Sequence, residues 1–395
     1  YSFGRHFSWD ARDSFPGGEH VPDPSRSYID TLRRHGGTSE AFKREFVHGI
    51  IFEPDAYERV VRAMLEETKR CTVLTNTTFQ AVEVESGRVR AIVMTNGRRV
   101  LAGAYVDSTG GGALCKASGC AMMLGRDGRE RFGEPSASEN PTTLLNGVTL
   151  IFRVTPTDEE DIERLPEGIP AMCWWQGHFP PISASRYPNG DYNCNMLPTM
   201  EGKECLELGH EKAYAECRRR VLAEWHYIQD DFPEFRRYRL SWVAPALGIR
   251  ESTRVLGEYV LTEHDLRAGL SGQQHADIVT IADHSVDRHG SSSSAWEMKE
   301  PYGVPYRCLI PLGFHNLLIA CRGASFSSLA ASSCRLSRTM IQLGQAAGIA
   351  AAVATDAGVD VAAAPAELLR AALRAEHVQL EWPLSEDLRA YLQDA

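Results

Sequence analysis

From Pro54 onward the apolar positions Tyr57, Val60, Val61, Met64 and Leu65 recur at i, i+3, i+4, i+7 and i+8, the stripe of one helix face, and Pro54 suits the first helical turn. The period then changes. Residues 72–74, 79–84, 89–94 and 100–106 are β-rich runs separated by turn signals such as Ser86-Gly87 and Asn96-Gly97, which predicts an antiparallel meander. The last run ends in Val106-Asp107-Ser108-Thr109-Gly110-Gly111-Gly112, ahead of a short helical stretch at 113–119. A strand running straight into glycines lets a ligand approach the backbone at the strand's carboxyl end. Residues 145–200 carry short strands and Pro-rich turns. A long helix is expected at 204–228, with Val221, Leu222, Trp225 and Ile228 on one face. A buried strand at 317–320, an Ala-rich helix at 339–354 and a last helix at 365–375 follow. Residues 1–50 read mostly as loop, apart from a helical candidate at 28–34, and no internal repeat is present.

Composition narrows the class. With 395 residues, 43% hydrophobic and 24% charged, the chain has the balance of an ordinary folded protein with room for two or three domains. Acidic side chains outnumber basic ones, 52 to 42, and no Lys/Arg run occurs, so a phosphate-neutralising nucleic-acid face is not expected and the partner is a small molecule. The longest apolar stretch, 346–354, falls short of the roughly 20 residues that cross a bilayer, so no membrane contact is expected. Ten cysteines occur without a Cys-x-x-Cys pair, and the nearest two, Cys115 and Cys120, lack zinc-finger spacing. Scattered core thiols of a reduced, cytoplasmic protein are the expectation, with homo-oligomerisation left open.

Three segments together resemble the FAD-dependent oxidoreductases of the glutathione-reductase-like superfamily. The first is Tyr105-Val106-Asp107-Ser108-Thr109-Gly110, similar to a strand whose end passes beside the cofactor. The second is Leu247-Gly248-Ile249-Arg250-Glu251-Ser252-Thr253-Arg254-Val255-Leu256-Gly257-Glu258-Tyr259, with the later Asp287-Arg288-His289-Gly290, similar to the substrate-side segment. The third runs from Pro305-Tyr306-Arg307 through Asn316-Leu317-Leu318-Ile319-Ala320-Cys321-Arg322 to Arg335 and Gly344-Gln345-Ala346-Ala347-Gly348. The resemblance implies an α/β fold: a Rossmann-like FAD/NAD(P)-binding domain from residues 1–140 and 305–395, with an inserted α+β substrate domain at 141–304. It implies FAD as cofactor and removal of hydride from a small organic substrate. The Gly-x-Gly-x-x-Gly unit with which that family opens is not in the sequence, so the Rossmann-like domain is incomplete at its N-terminus and the unit is expected upstream of Tyr1. The family's acidic residues after Thr-Gly are replaced by Gly111 and Ala113, Cys321 replaces a usual Gly, and Ser328 stands where relatives often carry His. These departures motivate an alternative, a flavin-free relative acting as a binding or structural subunit.

For the cofactor the resemblance points to Phe79, Ser108, Thr109, Gly110, Gly111, Arg322, Ser333, Arg335 and Gln345. Arg322 and Arg335 flank the Ser-rich bend at 325–333, and a helix beginning near Ser332 would aim its dipole at the same place, suiting both for stabilising reduced flavin. Pairing of both with surface carboxylates is the bland alternative. Gln345 either reaches a ring carbonyl or packs within its helix. The catalytic candidates are His289, Arg250 and Tyr306. His289 follows Asp287, and histidine is the side chain whose ordinary charge change falls near neutral pH, which suits a general base, although a structural histidine fits the same residues. Arg250 and Glu251 either orient an anionic substrate or form an ion pair, and Tyr306 either binds substrate or starts a strand. His275, His284 and His289 with Asp283 and Asp287 match no tight metal-ligand spacing, so no metal is expected. The Trp174-Trp175 pair reads as core.

Overall fold

The computed structural model describes residues 54–171, 182–187, 189–196, 198–290, 294–296, 298–383, 385–388 and 390. The helical candidate at 28–34 and the Trp174-Trp175 pair lie outside the described residues. The stripe beginning at Pro54 folds as α1 (Pro54–Glu67). No strand follows at 72–74, where Val73 and Leu74 stay about half exposed (51% and 45%). Strand-prone residues without a pairing partner are not held extended. The meander forms from β1 (Phe79–Glu85), β2 (Arg88–Met94) and β3 (Arg99–Val100), antiparallel in that order. Its first turn puts both Ser86 and Gly87 at positive φ, as a tight two-residue hairpin requires.

The expected single run at 100–106 divides after Val100. Its second half, β4 (Tyr105–Asp107), leaves the meander for a partner late in the chain. The glycines after it lead into α2 (Ala113–Ala117), β5 (Met122–Met123) and α3 (Arg129–Phe132). The middle of the chain supplies β6 (Ile151–Pro156), β7 (Ser183–Arg186) and β8 (Tyr192–Asn195), then α4 (Gly202–Leu208) and α5 (His210–Asp231), then β9 (Tyr238–Val243). The helix expected at 204–228 is thus two helices, broken at Gly209 (φ 75°, ψ 160°), a backbone state that glycine adopts without a Cβ clash. The strands pair antiparallel in the order β7-β8-β6-β9.

The chain continues through β10 (Arg254–Val255), α6 (Glu263–Gly272), β11 (Ile278–Ala282), β12 (Val286–Arg288), β13 (Ser294–Trp296) and β14 (Tyr302–Pro305). It closes with β15 (Leu317–Ile319), α7 (Ser328–Ser333), α8 (Ser337–Ala357) and α9 (Ala366–Ala375). β15 is the partner of β4, parallel, with Leu317 opposite Tyr105 and Ile319 opposite Asp107. Both strands therefore end side by side, one in the glycine turn and the other in Cys321-Arg322-Gly323.

Among the described residues two hydrophobic cores result. The larger gathers Tyr105, Leu317, Leu318 and Ile319 with the alanines of α8, while the smaller, centred on Leu150, Phe152, Val221 and Trp225, lies within residues 148–247. Residues from the stretch at 255–304, grouped with the middle unit on sequence grounds, contribute Val255, Leu261, Val279 and Tyr302 to the larger core. Among the described residues no helix is long and apolar enough to cross a membrane.

Candidate functional site

The site starts at the carboxyl ends of the parallel pair. Asp107 is buried, and its Oδ1 accepts hydrogen bonds from the amide and hydroxyl of Thr109 at 2.9 and 2.7 Å while Oδ2 accepts from the Cys115 amide at 2.8 Å. One carboxylate thus fixes both ends of the glycine turn. Gly110 sits at φ +81°, and a Cβ there would lie 2.5 Å from Nη1 of Arg322. Only glycine lets the guanidinium lie so close. Ser252 and Thr253 approach from the other side: the Thr253 hydroxyl donates to the Gly111 carbonyl, and Ser252 Oγ lies 3.0 Å from where a Gly111 Cβ would be. The Cys321 thiol faces the amides of Gly110 and Gly323, and burial pushes its pKa up.

Arg322 is the unusual member. Among the described residues its buried Nε has no hydrogen-bond partner and no carboxylate pairs with it. Burial pushes its pKa down, and only the neighbouring Cys321 thiol works against that shift. A half-buried cation lacking a counter-charge is unfavourable, so the place fits an anionic group brought by a ligand. The Ser252 hydroxyl is also buried without a partner.

From Ser252 a polar seam runs into the rest of the molecule. Arg254, about 1% exposed, pairs with Glu251 at 2.7 Å and Asp127 at 3.1 Å. Asp127 accepts the Ser328 amide at 2.8 Å and donates its own amide to Ser328 Oγ at 3.0 Å. Glu251 accepts the Asn146 amide at 2.7 Å. Buried Asn146 then donates from Nδ2 to the Asp287 carbonyl at 3.0 Å and accepts the His289 amide at Oδ1 at 2.9 Å. At the far end, His289 Nε2 and Arg335 Nη2 both meet Oδ2 of Asp287, at 2.8 and 2.7 Å. Although burial raises the pKa of Asp287, the His289 hydrogen bond and the Arg335 charge outweigh it and hold the carboxyl well below its usual range.

The structure therefore brings together Ser108, Thr109, Gly110, Gly111 and Arg322 at one end of the seam and His289, Arg335 and Arg250 at the other. Ser108 Oγ donates to the Ala320 carbonyl at 3.3 Å, and Arg250 Nη1 donates to the Gly147 carbonyl at 3.2 Å. Arg335 is bound to Asp287, away from the glycine turn. The helix expected to begin near Ser332 ends there instead: α7 starts after Ser327, which caps it, and Asp127 occupies its first amide. Tyr306 donates its hydroxyl to the Val361 carbonyl at 2.7 Å and is buried in the larger core. Ser333 is likewise buried, bonded to Tyr302 at 2.7 Å and to the His284 carbonyl. Phe79 packs against the larger core from β1, and Gln345 stays half-buried on α8 with no hydrogen bond to the seam. The cavity lined by Arg374, His377 and Glu381 lies by the C-terminal helix, apart from all of this.

Asp127, Asn146, Ser252 and Arg254 are the residues that pattern reading passed over. Arg254 and Ser252 lie within the Arg250 to Tyr259 segment, whose density of charged and hydroxyl residues is a usable signal. Asn146 has none, since its role exists only once residues 100 or more positions apart meet.

The model of the FAD dependent oxidoreductase family matches residues 21–373. The chain belongs to this family, and FAD is its cofactor. Among solved structures it is similar to BrvH, a flavin-dependent halogenase from Brevundimonas sp. BAL3, at 12% identity and a TM-score of 0.30 over 94% of this chain and 56% of that one. It is similar at the same identity to MibH, a lanthipeptide tryptophan 5-halogenase, at a TM-score of 0.29 over 85% of this chain and 47% of that one. The chain spans about half the length of these two proteins. Curated proteins give no match.

Proposed function

We propose that the chain removes hydride from a small organic substrate, with Arg322 facing an anionic part of FAD and His289 taking the accompanying proton. The observation that supports this reading is the chain of polar contacts from Arg254 through Glu251 and Asn146 to Asp287 and His289, which starts two residues from Ser252 at the glycine turn where Arg322 lies with no carboxylate partner among the described residues. The β4/β15 pair would belong to a Rossmann-like cofactor domain built from 1–140 and 305–395 on a core that Val255, Leu261, Val279 and Tyr302 join, and the rest of 141–304 would supply the substrate side. When bound, the flavin supplies a two-electron acceptor. The substrate's C–H bond breaks with its electron pair, and an adjacent O–H or N–H gives its proton to the protein. Asp287 accepts from Nε2 of His289, which fixes hydrogen on that nitrogen and leaves Nδ1 as the basic atom. Arg335 keeps Asp287 ionised, so the imidazolium formed on proton uptake is stabilised.

Anaerobic mixing of the FAD-loaded protein with a panel of alcohols, amines and hydroxy acids tests this. At least one class should bleach the oxidised flavin band; failure of every class would reject the reading. With a bleaching substrate, His289→Asn should keep bound FAD and its spectrum yet reduce it roughly 100-fold more slowly, the usual scale for loss of a general base. Near-normal reduction with an unchanged pH profile would make His289 structural.

A further inference from the structure

We propose that Arg322 and Ser252 form one oxyanion-binding site over the glycine turn at 110–112. Two donors converge there on consecutive residues of a turn. The guanidinium lies against Gly110, and the Ser252 hydroxyl lies against Gly111. Both Arg322 Nε and Ser252 Oγ are buried with no hydrogen-bond partner among the described residues. Buried polar atoms in folded proteins are almost always satisfied, so two orphans on one turn mark a place completed by something else.

The chemistry of that something follows from charge. Water or a neutral carbonyl would satisfy the hydroxyl but would leave the half-buried positive charge uncompensated. No carboxylate among the described residues pairs with Arg322, whereas Arg254, one element away, is flanked by Glu251 and Asp127. A planar guanidinium matches two oxygens of a phosphate or carboxylate, and a hydroxyl beside it supplies a further donor. The location agrees, since the site lies at the carboxyl ends of two parallel strands, where ligands of open α/β sheets bind. The oxyanion has two sources, the diphosphate of FAD or an acidic group of the substrate. The choice of ligand rests on the oxidoreductase reading; the site itself does not.

The variants are Arg322→Met and Ser252→Ala in the full chain, each titrated calorimetrically with pyrophosphate, FAD and riboflavin. Because each change removes an orphaned polar group, the flavin-free variants should melt no lower than the parent. Each should bind pyrophosphate about tenfold more weakly. Loss of FAD affinity with riboflavin unchanged assigns the oxyanion to the cofactor's diphosphate. Unchanged affinity for both flavins, with pyrophosphate still lost, assigns it to the substrate. Pyrophosphate affinity that is absent in the parent or intact in the variants overturns the proposal, as does a fall of more than a few degrees in melting temperature, which would reveal a structural partner. A parent that binds pyrophosphate but no flavin would sink the oxidoreductase reading and leave this site standing.

Discussion

At the scale of single residues, the seam depends on groups whose partners are far away in sequence. Asn146 is the clearest: one side chain accepts from the His289 amide and donates to the Asp287 carbonyl, fully out of solvent. Truncation to alanine leaves a buried donor and a buried acceptor unsatisfied, so Asn146→Ala should lower stability by about 2–4 kcal/mol, read from the urea midpoint. A loss under about 0.5 kcal/mol would mean that water replaces both bonds. Arg254→Ala should cost about 3–5 kcal/mol, because it takes the ion-pair partner from buried Glu251 and leaves Asp127 only Arg131, at 2.9 Å, to balance its charge. His289 was recognisable in the sequence because histidine after aspartate carries its own chemistry. Asn146 was not, because an asparagine before a glycine reads as a turn until its three partners are in place.

At the scale of elements, legibility follows how local the deciding force is. The face of α1 and the hairpin turn at Ser86-Gly87 were legible because neighbouring residues determine them. The run at 100–106 was not divisible by pattern: β-prone residues on both sides of the break look alike, and only the distant β15 draws β4 into a second sheet. The break at Gly209 was similarly masked by helix formers on each side. The Ala-rich helix α8 shows the reverse case, in which composition states the packing. Ala346, Ala347, Ala350 and Ala354 are buried along it, and the helix packs against β11 and α9. Small side chains there permit close approach, so Ala350→Leu should overpack the contact and cost about 1–3 kcal/mol, measured by chemical denaturation. A neutral result would show slack between α8 and the sheet.

At the scale of the whole molecule, the seam lies where chain from the two cores meets, so its protonation state bears on the stability of the entire fold. Arg335 comes from the loop between α7 and α8 in the larger core, Asp287 from β12, and Asn146 from just before the β6 region of the smaller core. Asp287 has a folded-state pKa well below that of an unfolded aspartate, near 3.9. A carboxyl so shifted contributes stability that is fully present above the unfolded value and is lost as pH falls through it toward the folded one. The unfolded chain binds the proton first, which pulls the equilibrium toward unfolding. The fold should therefore weaken steeply below about pH 4, and Asp287→Asn should flatten that part of the curve while lowering stability at neutral pH by roughly 1–3 kcal/mol through the lost ion pair and hydrogen bond. Urea titrations of both proteins at half-unit steps from pH 3 to pH 7 decide the point. Parallel curves over that range would show that Asp287 titrates alike in the folded and unfolded chains, and the acid limit of the fold would then rest on other carboxylates, with Asp277, held below its usual range by Arg307 against the opposing effect of burial, the first to test.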